Sequence, residues 1–255
     1  MNAPSMNVEE EVAGWIRQAR YAVALTGAGV STESGIPDFR GPNGVWTKDP
    51  KAERLSNIHA YLADPEVRAD VWQMRISHPA WTAAPNAGHL ALVDLERRGH
   101  LQALITQNID GLHAIAGTAP EVLIEMHGTM RDVTCLSCGD REPAQPTFDR
   151  VLAGDPDPVC LRCGGILKSA TISFGQALRP DDLHRAERAA TSCDLMIAIG
   201  SSLLVYPVAA LPQVALDCGA RLVIINAERT PYDERADAVI RDPIGEVLPR
   251  IAALV

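Results

Sequence analysis

Apolar positions along the chain follow two patterns, and each pattern predicts a different element. Runs that are apolar throughout predict buried strands at residues 21–26, 101–106, 122–125, 195–199 and 222–226, with a shorter one at 238–240. Apolar residues at helical spacing predict helices near residues 8–19, 87–98, 180–191, 207–218 and 244–254. Buried strands that alternate with helices are typical of a parallel sheet covered on both faces. We therefore predict an α/β fold with a Rossmann-like, doubly wound parallel sheet.

Two stretches do not follow this alternation and predict a second, smaller lobe. Residues 39–84 contain short helical pieces, three of the four tryptophans and no clear strand. Residues 131–171 are rich in cysteine, glycine and proline. We interpret both as insertions, a helical one and a zinc-ribbon one. The Rossmann-like domain is then discontinuous and comprises residues 1–38, 85–130 and 172–255.

Four cysteines in the second insertion have the spacing of a metal site. Two Cys-x-x-Cys pairs stand 21 residues apart, and glycine follows each pair. Thiolates at this spacing match a tetrahedral zinc site, although the separation is slightly longer than usual. A disulfide framework is disfavoured, because nothing in the sequence indicates an oxidising compartment. The pattern predicts one structural Zn²⁺ per chain, with no open coordination position, held by Cys135, Cys138, Cys160 and Cys163.

The net charge and the apolar pattern argue against two classes of partner, nucleic acids and membranes. The chain carries 23 basic and 32 acidic residues, a net charge of −9, and has no run of lysine and arginine. Binding nucleic acid without regard to sequence needs a basic face, so the composition argues against it. No apolar run reaches the roughly 18 residues that cross a bilayer, and residues 1–11 lack the pattern of a secretory signal. We expect a cytoplasmic monomer without a membrane partner.

The turn after the first strand carries a partial dinucleotide signal. Gly27 and Gly29 permit a tight turn whose amides approach an anion such as a diphosphate. Thr32 stands where the third glycine of the Gly-x-Gly-x-x-Gly fingerprint belongs. No acidic residue closes a second strand about 20 positions further on. The turn therefore predicts nucleotide binding in a variant form.

Polar side chains also follow the other predicted strands. Asn108 and Asp110 follow the second strand, and His127 follows the third. Ligands of a doubly wound sheet gather at the carboxyl ends of its strands, and a histidine there can act as general base near neutral pH. Each group has a structural alternative, since Asn108 and Asp110 can cap a helix and a lone histidine is often a hydrogen-bonded structural residue. Five strand ends that carry such groups favour a binding site.

In their order along the chain, these segments resemble the sirtuins, which are NAD-dependent protein-lysine deacylases. The matching motifs are Gly-Ala-Gly-Val-Ser at 27–31, Ser-Gly-Ile-Pro-Asp-Phe-Arg at 34–40, Thr-Gln-Asn-Ile-Asp at 106–110, His-Gly at 127–128, the cysteine tetrad, Phe-Gly at 174–175, Gly-Ser-Ser at 200–202 and Asn-Ala-Glu at 226–228. The resemblance covers nearly the whole chain and implies NAD as co-substrate. The implied NAD-binding residues are Gly27, Ala28, Gly29, Ser31, Ser34, Asp38, Phe39, Arg40, Trp46, Gln107, Asn108, Ile109, Asp110, Gly200, Ser201, Ser202, Asn226, Ala227, Glu228 and Ile244.

The resemblance also implies a mechanism in which NAD is consumed. The acyl-lysine oxygen attacks the nicotinamide-bearing ribose carbon and releases nicotinamide, and lysine and O-acetyl-ADP-ribose follow. Asn108 and His127 are the implied catalytic residues, with His127 as general base, while Phe39 would shield the ribose from water. The acylated peptide would add as a strand. Its implied binding residues are Phe174, Gly175, Leu203 and Val205.

Three departures from the family pattern concern substrate choice. Gln176 stands where glutamate is frequent, and Lys168 and Ser169 stand where Arg-Pro is frequent, both near the expected peptide groove. Members that prefer succinyl or malonyl groups carry Tyr-x-x-Arg in the helical insertion, whereas this chain has Trp72 and Arg75 there. We therefore expect acetyl removal, and an arginine on a solvated helix face is the structural alternative for Arg75.

Other functions stay open at this point. The same fold could act mainly as a desuccinylase or other deacylase, or as a protein ADP-ribosyltransferase. A zinc-ribbon binding module without catalysis is disfavoured by the acidic charge and the polar strand ends. An NAD-linked oxidoreductase would need a complete dinucleotide fingerprint and a hydride site, and neither is visible.

Overall fold

The computed structural model describes residues 7–38, 44 and 54–255. Six strands form the larger sheet: β1 (Ala22–Thr26), β2 (Ala103–Thr106), β3 (Leu123–Glu125), β7 (Leu195–Ile199), β8 (Arg221–Ile225) and β9 (Ala238–Ile240). All neighbours pair in parallel, in the order β3-β2-β1-β7-β8-β9. The strand order reverses at β1, as in a doubly wound fold. The predicted fold class is therefore confirmed.

Helices cover both faces of this sheet, and successive strand residues point into opposite cores. Ala24 of β1 belongs to one core and Leu25 to the other, as the two-residue period of a strand requires. The helices on the Ala24 side are Val8–Gln18, Ala87–Arg97 and Ile244–Leu254. Those on the Leu25 side are Pro180–Ser192 and Leu211–Asp217.

Most of the predicted elements lie within one or two residues of their observed bounds. The helix expected at residues 207–218 is instead divided into a 3₁₀ turn, Val208–Ala210, and the helix Leu211–Asp217. Pro212 lies in the first turn of that helix, where its missing N–H is tolerated, and so favours a start at this point. No helix within residues 7–38 and 54–255 combines the length and apolar character that crossing a membrane requires.

The smaller lobe contains an antiparallel sheet that the apolar pattern does not predict. Its strands are β4 (Gly128–Cys135), β5 (Arg141–Pro143) and β6 (Leu167–Thr171), in the order β5-β4-β6. The helix Ala144–Leu152 packs on this sheet and was also not predicted. These elements are short and carry many polar residues, so their periodicity is weak.

Two helices of the first insertion, Ile58–Ala63 and Pro65–Ile76, pack against this lobe. Trp72 is fully buried and meets Phe148 edge to face, with ring centroids 6.2 Å apart. Arg68 forms a forked ion pair with Asp157, with its Nη2 2.7 Å and its Nε 2.9 Å from Oδ2. Apolar packing and this ion pair therefore join the two insertions into one lobe.

The smaller sheet begins and ends at residues that are neighbours in space. Only Met126 and His127 lie between β3 and β4. Gly128, the first residue of β4, pairs with Thr171 at the end of β6. The amide of Ile172 donates to the carbonyl of His127 at 2.8 Å. Gly128 has a φ of +68°, and a Cβ there would lie 2.1 Å from a backbone oxygen, so only glycine fits this junction.

Candidate active site and zinc centre

The glycines after β1 are required by contact with the end of β7. The amide of Gly27 donates to the carbonyl of Ile199 at 3.0 Å, and the amide of Gly29 donates to Gly200 at 2.8 Å. A Cβ on Gly27 or Gly29 would lie 2.7 Å from backbone atoms of Gly200. Both amides thus have backbone partners within the chain, besides the role in anion binding that the glycine pattern predicts for this turn. The glycines also allow β1 and β7 to end against each other.

A 3₁₀ helix, Ala28–Ser34, follows these glycines and meets the end of β2. The hydroxyl of Ser31 donates to Oδ2 of Asp110 at 2.8 Å and accepts from Nδ2 of Asn108 at 3.1 Å. Nδ2 of Asn108 also donates to the carbonyl of Gly27 at 3.2 Å. All three side chains are buried. The turn and the end of β2 thus form one polar network in which each predicted group has a defined partner.

Gln107 connects this network to the end of β7. Its Nε2 donates to the hydroxyl of Ser201 at 2.8 Å, and that hydroxyl also accepts from the amide of Leu203 at 3.2 Å. Ser201 is buried, and Ser202 and Ile109 are half-buried. The structure therefore brings the predicted residues of β1, β2 and β7 together at one edge of the sheet.

His127 lies at the end of β3, beside the same edge. Its Nδ1 is 2.9 Å from the carbonyl oxygen of Gln107, which can only accept, so Nδ1 carries the ring proton of the neutral tautomer. Nε2 is then left as the proton acceptor. Burial lowers the pKa of His127, while the hydrogen bond to Gln107 partly opposes that shift. A neutral, oriented imidazole at a strand end is suited to act as general base.

The residues predicted for the adenosine end lie at the tips of β8 and β9. Nδ2 of Asn226 donates to the carbonyl of Glu228 at 2.9 Å, and Ala227 and Glu228 are exposed. Arg241 donates to the carbonyls of Asn226 and Glu228, at 2.7 and 2.6 Å. Ile244 begins the last helix and is buried. Arg241 was not predicted, because an arginine between two elements carries no distinctive sequence signal.

Some predicted site residues lie at or beyond the edge of the described chain. Phe39, Arg40 and Trp46 are outside the described residues. Asp38 ends the first described range and is half-buried, and Ser34 is half-buried within the 3₁₀ helix. Oγ of Ser34 accepts from Nδ2 of Asn86 at 3.0 Å.

The predicted peptide-binding segment is already paired along one edge. The amide of Phe174 donates to Ser56 at 2.8 Å, and its carbonyl accepts from Ile58 at 3.0 Å. Successive residues of a strand direct their backbone groups to opposite edges, so Ser173 faces the other edge. There its amide donates to Oε1 of Gln176 at 3.2 Å. A peptide strand that added to this edge would therefore meet the turn that ends in Gln176.

The other predicted contacts to the peptide follow β7. Leu203 is buried and has a φ of +55°, which is rare for a residue other than glycine. Val205 is half-buried, Gly175 has a φ of +82°, and 42% of Phe174 is exposed. A strained backbone such as that of Leu203 is a feature typical of functional sites.

Arg75 does not lie on a solvated helix face. Burial lowers its pKa to about 10, and its Nε has no hydrogen-bond partner within the described chain. Lys168 is buried nearby, where burial first and Arg75 second lower its pKa to about 7. Its Nζ donates to Thr171, both at the carbonyl and at Oγ1. The solvated-face interpretation of Arg75 is therefore wrong, because the zinc-bearing lobe packs over this helix.

The four cysteines of the smaller lobe are arranged to bind one metal ion. Their sulfur atoms all lie within 4.8 Å of one another. The distance from Cys135 to Cys163 is 3.5 Å, and that from Cys138 to Cys160 is 3.8 Å. A tetrahedral Zn²⁺ with bonds of about 2.3 Å places its sulfurs about 3.8 Å apart. The residues therefore fit a structural zinc ion, and four thiolates leave it no open position.

Two equivalent turns shape this centre. The amide of Gly139 donates to Cys135 at 3.0 Å, and that of Gly164 donates to Cys160 at 2.8 Å. Both glycines have a positive φ, of +73° and +74°. Each Cys-x-x-Cys pair therefore ends in the glycine turn that the sequence predicts.

Comparison with known proteins agrees with this geometry. The Sir2 family model matches residues 27–207. NAD-dependent protein deacetylase 2 of Streptomyces coelicolor is 52% identical over 89% of this chain and 94% of its own. A solved structure of a Sir2 variant with deacetylated p53 peptide and 3'-O-acetyl ADP ribose has a TM-score of 0.88 at 34% identity, covering 96% of this chain and 97% of its own. A second, of Sir2 with p53 peptide and NAD⁺, has a TM-score of 0.86 at 33% identity, covering 97% and 98%. The chain, with its strand-end network and cysteine tetrad, belongs to the Sir2 family.

Proposed function

We propose that this protein is an NAD-dependent protein-lysine deacetylase that forms nicotinamide, lysine and O-acetyl-ADP-ribose. The observation that carries the proposal is the position of His127, whose Nε2 has no hydrogen-bond partner among the described residues, beside the buried network of Asn108, Ser31 and Asp110. A base and a polar network thus meet at the edge of the sheet where ligands of doubly wound folds bind. The similar S. coelicolor protein bears the name of this activity.

When bound, NAD supplies a ribose carbon that an acyl oxygen can attack, with nicotinamide as leaving group. The chain's own residues would bind and orient the reactants. Asn108 and Asp110 would line the nicotinamide pocket, each held by Ser31, so that neither side chain needs to reorganise. His127 would accept a proton at Nε2 from a ribose hydroxyl, while Nδ1 stays hydrogen-bonded to Gln107.

The adenosine end would lie against β7 and β8. Ser201, held by Gln107, and Asn226, held by Arg241 through its carbonyl, would contact the ribose and adenine. The acylated peptide would contact Phe174 and Leu203 and bring its lysine to His127. We also propose that the enzyme acts in the cytoplasm and that it is a monomer of 27.4 kDa. Gel filtration would test the oligomeric state.

Zinc would stabilise the smaller lobe without taking part in the reaction. All four ligands are thiolates of this lobe, so no position remains for a substrate. The lobe has a small core of its own, and a metal would supply part of its folding energy.

The test of this proposal is nicotinamide release from NAD with and without an acetyl-lysine peptide. Release that requires the peptide and yields free lysine supports the deacetylase. Label from adenine-labelled NAD that stays on protein would indicate an ADP-ribosyltransferase. Absence of nicotinamide release would leave a zinc-ribbon binding module.

A second candidate is removal of an acyl group that ends in a carboxylate. It is favoured by Arg75, a half-buried cation whose buried Nε has no partner among the described residues. We expect acetyl-lysine to remain the better substrate, since Trp72 lacks the hydroxyl of the family's tyrosine. The ratio of kcat/KM for a succinyl-lysine peptide to kcat/KM for an acetyl-lysine peptide distinguishes the two candidates. A ratio above one that Arg75→Met lowers about tenfold or more would favour the second candidate.

A further inference from the structure

Asn86 joins a helix N-terminus to the turn that follows β1. Its Oδ1 accepts from the amides of Gly88 at 2.9 Å and His89 at 3.3 Å, which caps the helix. Its Nδ2 donates to the carbonyl of Val30 at 2.7 Å and to Oγ of Ser34 at 3.0 Å. An asparagine amide has two donor hydrogens and two acceptor lone pairs. Every one of them is used, which also determines which way the amide points.

The two acceptors of Nδ2 bracket the part of the turn that faces the pocket. Val30 and Ser34 are four residues apart in the 3₁₀ helix, and Ser31 lies between them. Ser31 in turn holds Asp110 and Asn108. Hydrogen bonds within 3₁₀ helices have poorer geometry than those of α-helices. A side chain that links Val30 to Ser34 therefore adds rigidity that the turn's own backbone cannot supply.

Two histidine rings, packed against each other at an interplanar angle of 53°, continue this contact to the end of β1. The ring of His89 lies 4.8 Å from that of His113, whose Nε2 is 3.0 Å from Oγ1 of Thr26. Both rings are buried. Burial lowers the pKa of His113 to about 3, so this ring stays uncharged at neutral pH. The turn is thus held at Thr26, before it starts, and at Ser34, where it ends.

We propose that Asn86 is a positioning residue for NAD, and that its Nδ2 group clamps the turn Ala28–Ser34 in the conformation that NAD binds. The inference rests on the proposed function, since it assumes that NAD occupies this turn. Asn86 itself touches Ser34 and Val30 rather than the reacting atoms. Its loss should therefore weaken NAD binding without removing a group that takes part in the reaction.

The discriminating variant is Asn86→Asp. Aspartate is as good an N-cap as asparagine and suits the helix dipole, but it replaces the donor with an oxygen that faces the Val30 carbonyl. We expect the KM for NAD to rise about tenfold, with kcat and the peptide KM within about twofold of the parent. Asn7→Asp makes the same exchange at the cap of Val8–Gln18, and its NAD KM should not change.

Hydrogen exchange of the free enzyme tests the clamp without any turnover. Amides of residues 30–36 should exchange about tenfold faster in Asn86→Asp than in the parent, and those of residues 88–97 should not. Unchanged exchange and an unchanged NAD KM would overturn the proposal, as would equal rises in both KM values. If Asn86→Asp does not fold, Asn86→Ser keeps a hydroxyl cap and is held to the same expectations.

Failure of the proposed function would look different. In that case the parent releases no nicotinamide with acetyl-lysine peptide, whatever residue 86 is. The clamp would still be tested by exchange at residues 30–36, and by the Kd of NAD itself from calorimetry.

Discussion

The carbonyl oxygen of Gln107 accepts a hydrogen bond from Nδ1 of His127 at 2.9 Å. This bond links the end of β2 to the end of β3, and it leaves Nε2 as the basic atom. Because burial is the main cause of its shift, the pKa of His127 lies below the ordinary value of 6.5. The active, neutral form of the ring therefore persists to lower pH than that of an exposed histidine.

The first prediction follows for the pH dependence of deacetylation. With saturating substrates, kcat should stay constant from about pH 8 to 7 and fall as the pH drops through a pKa below 6.5. His127→Ala should lower kcat by about 10²–10⁴-fold at every pH. The exposed His184 provides the control, since His184→Gln should keep the parent profile. An acid limb centred above pH 6.5 would contradict this assignment.

The second prediction concerns the contact between Gly200 and the glycine turn. Gly200 has a φ of +60°, and a Cβ there would lie 2.4 Å from the amide nitrogen of Val30. Gly200→Ala should therefore destabilise the protein by about 1–3 kcal/mol more than a substitution without such a clash. Gly219 is the matched control, because its φ is +88° and nothing lies within 4 Å of its Cβ position.

Urea denaturation of both glycine variants measures this difference. Gly219→Ala should cost only about 1–2 kcal/mol for the left-handed backbone. Equal losses of unfolding free energy in the two variants would show that the clash with Val30 does not contribute to the destabilisation. Gly200→Ala should also raise the KM for NAD, and Gly219→Ala should not.

The third prediction concerns the metal. Elemental analysis of the purified protein should find one zinc per chain, and Cys138→Ser should lose most of it together with the order of the smaller lobe. Cys218 is exposed, as Cys138 is, but lies outside the tetrad, so Cys218→Ser should retain the zinc. Full zinc content in Cys138→Ser would exclude the predicted ligand set.

The fourth prediction concerns the ion pair between Arg68 and Asp157. The Arg68 side chain is only 11% exposed, and it also donates to the carbonyl of Tyr61 at 3.1 Å. Arg68→Ala should therefore cost about 2–3 kcal/mol in unfolding free energy, because several charged hydrogen bonds are lost. Arg20 pairs with Asp194 at 3.3 Å, but its side chain is 91% exposed. Arg20→Ala should cost less than about 1 kcal/mol, and a similar loss for both would contradict the prediction.

The sequence predicts the six-stranded parallel sheet well because its strands are buried on both faces. A strand such as Leu195–Ile199 has no solvent-facing residue, so its limits coincide with those of the apolar run. The helix Ile244–Leu254 is likewise found as predicted, since its amphipathic pattern is strong. The same reasoning fails for Gly128–Cys135, because a small sheet that relies on metal ligands needs few apolar residues.

The motifs predict which residues form the candidate site, but they do not predict the contacts among those residues. Asn86 carries a visible signal as an N-cap before a helix, yet its second pair of contacts depends on a turn more than 50 residues earlier. The glycine pattern correctly indicates a close approach of backbone at Gly29, but it does not reveal that Gly200 is a partner in that approach. Pairwise geometry of this kind arises from the packing of distant segments, which no local pattern records.

The junction at Gly128 and Thr171 has a consequence for how this architecture can vary. The smaller sheet departs and returns through two adjacent, hydrogen-bonded residues, so its length does not affect the order of the six parallel strands. A graft that replaced everything between these two attachment points would also need to reproduce the contacts with the helical insertion, such as Trp72 with Phe148 and Arg68 with Asp157. The smaller sheet can therefore change in length without shifting the parallel strands, provided that Gly128, its backbone pair with Thr171 and the packing on the helical insertion are kept.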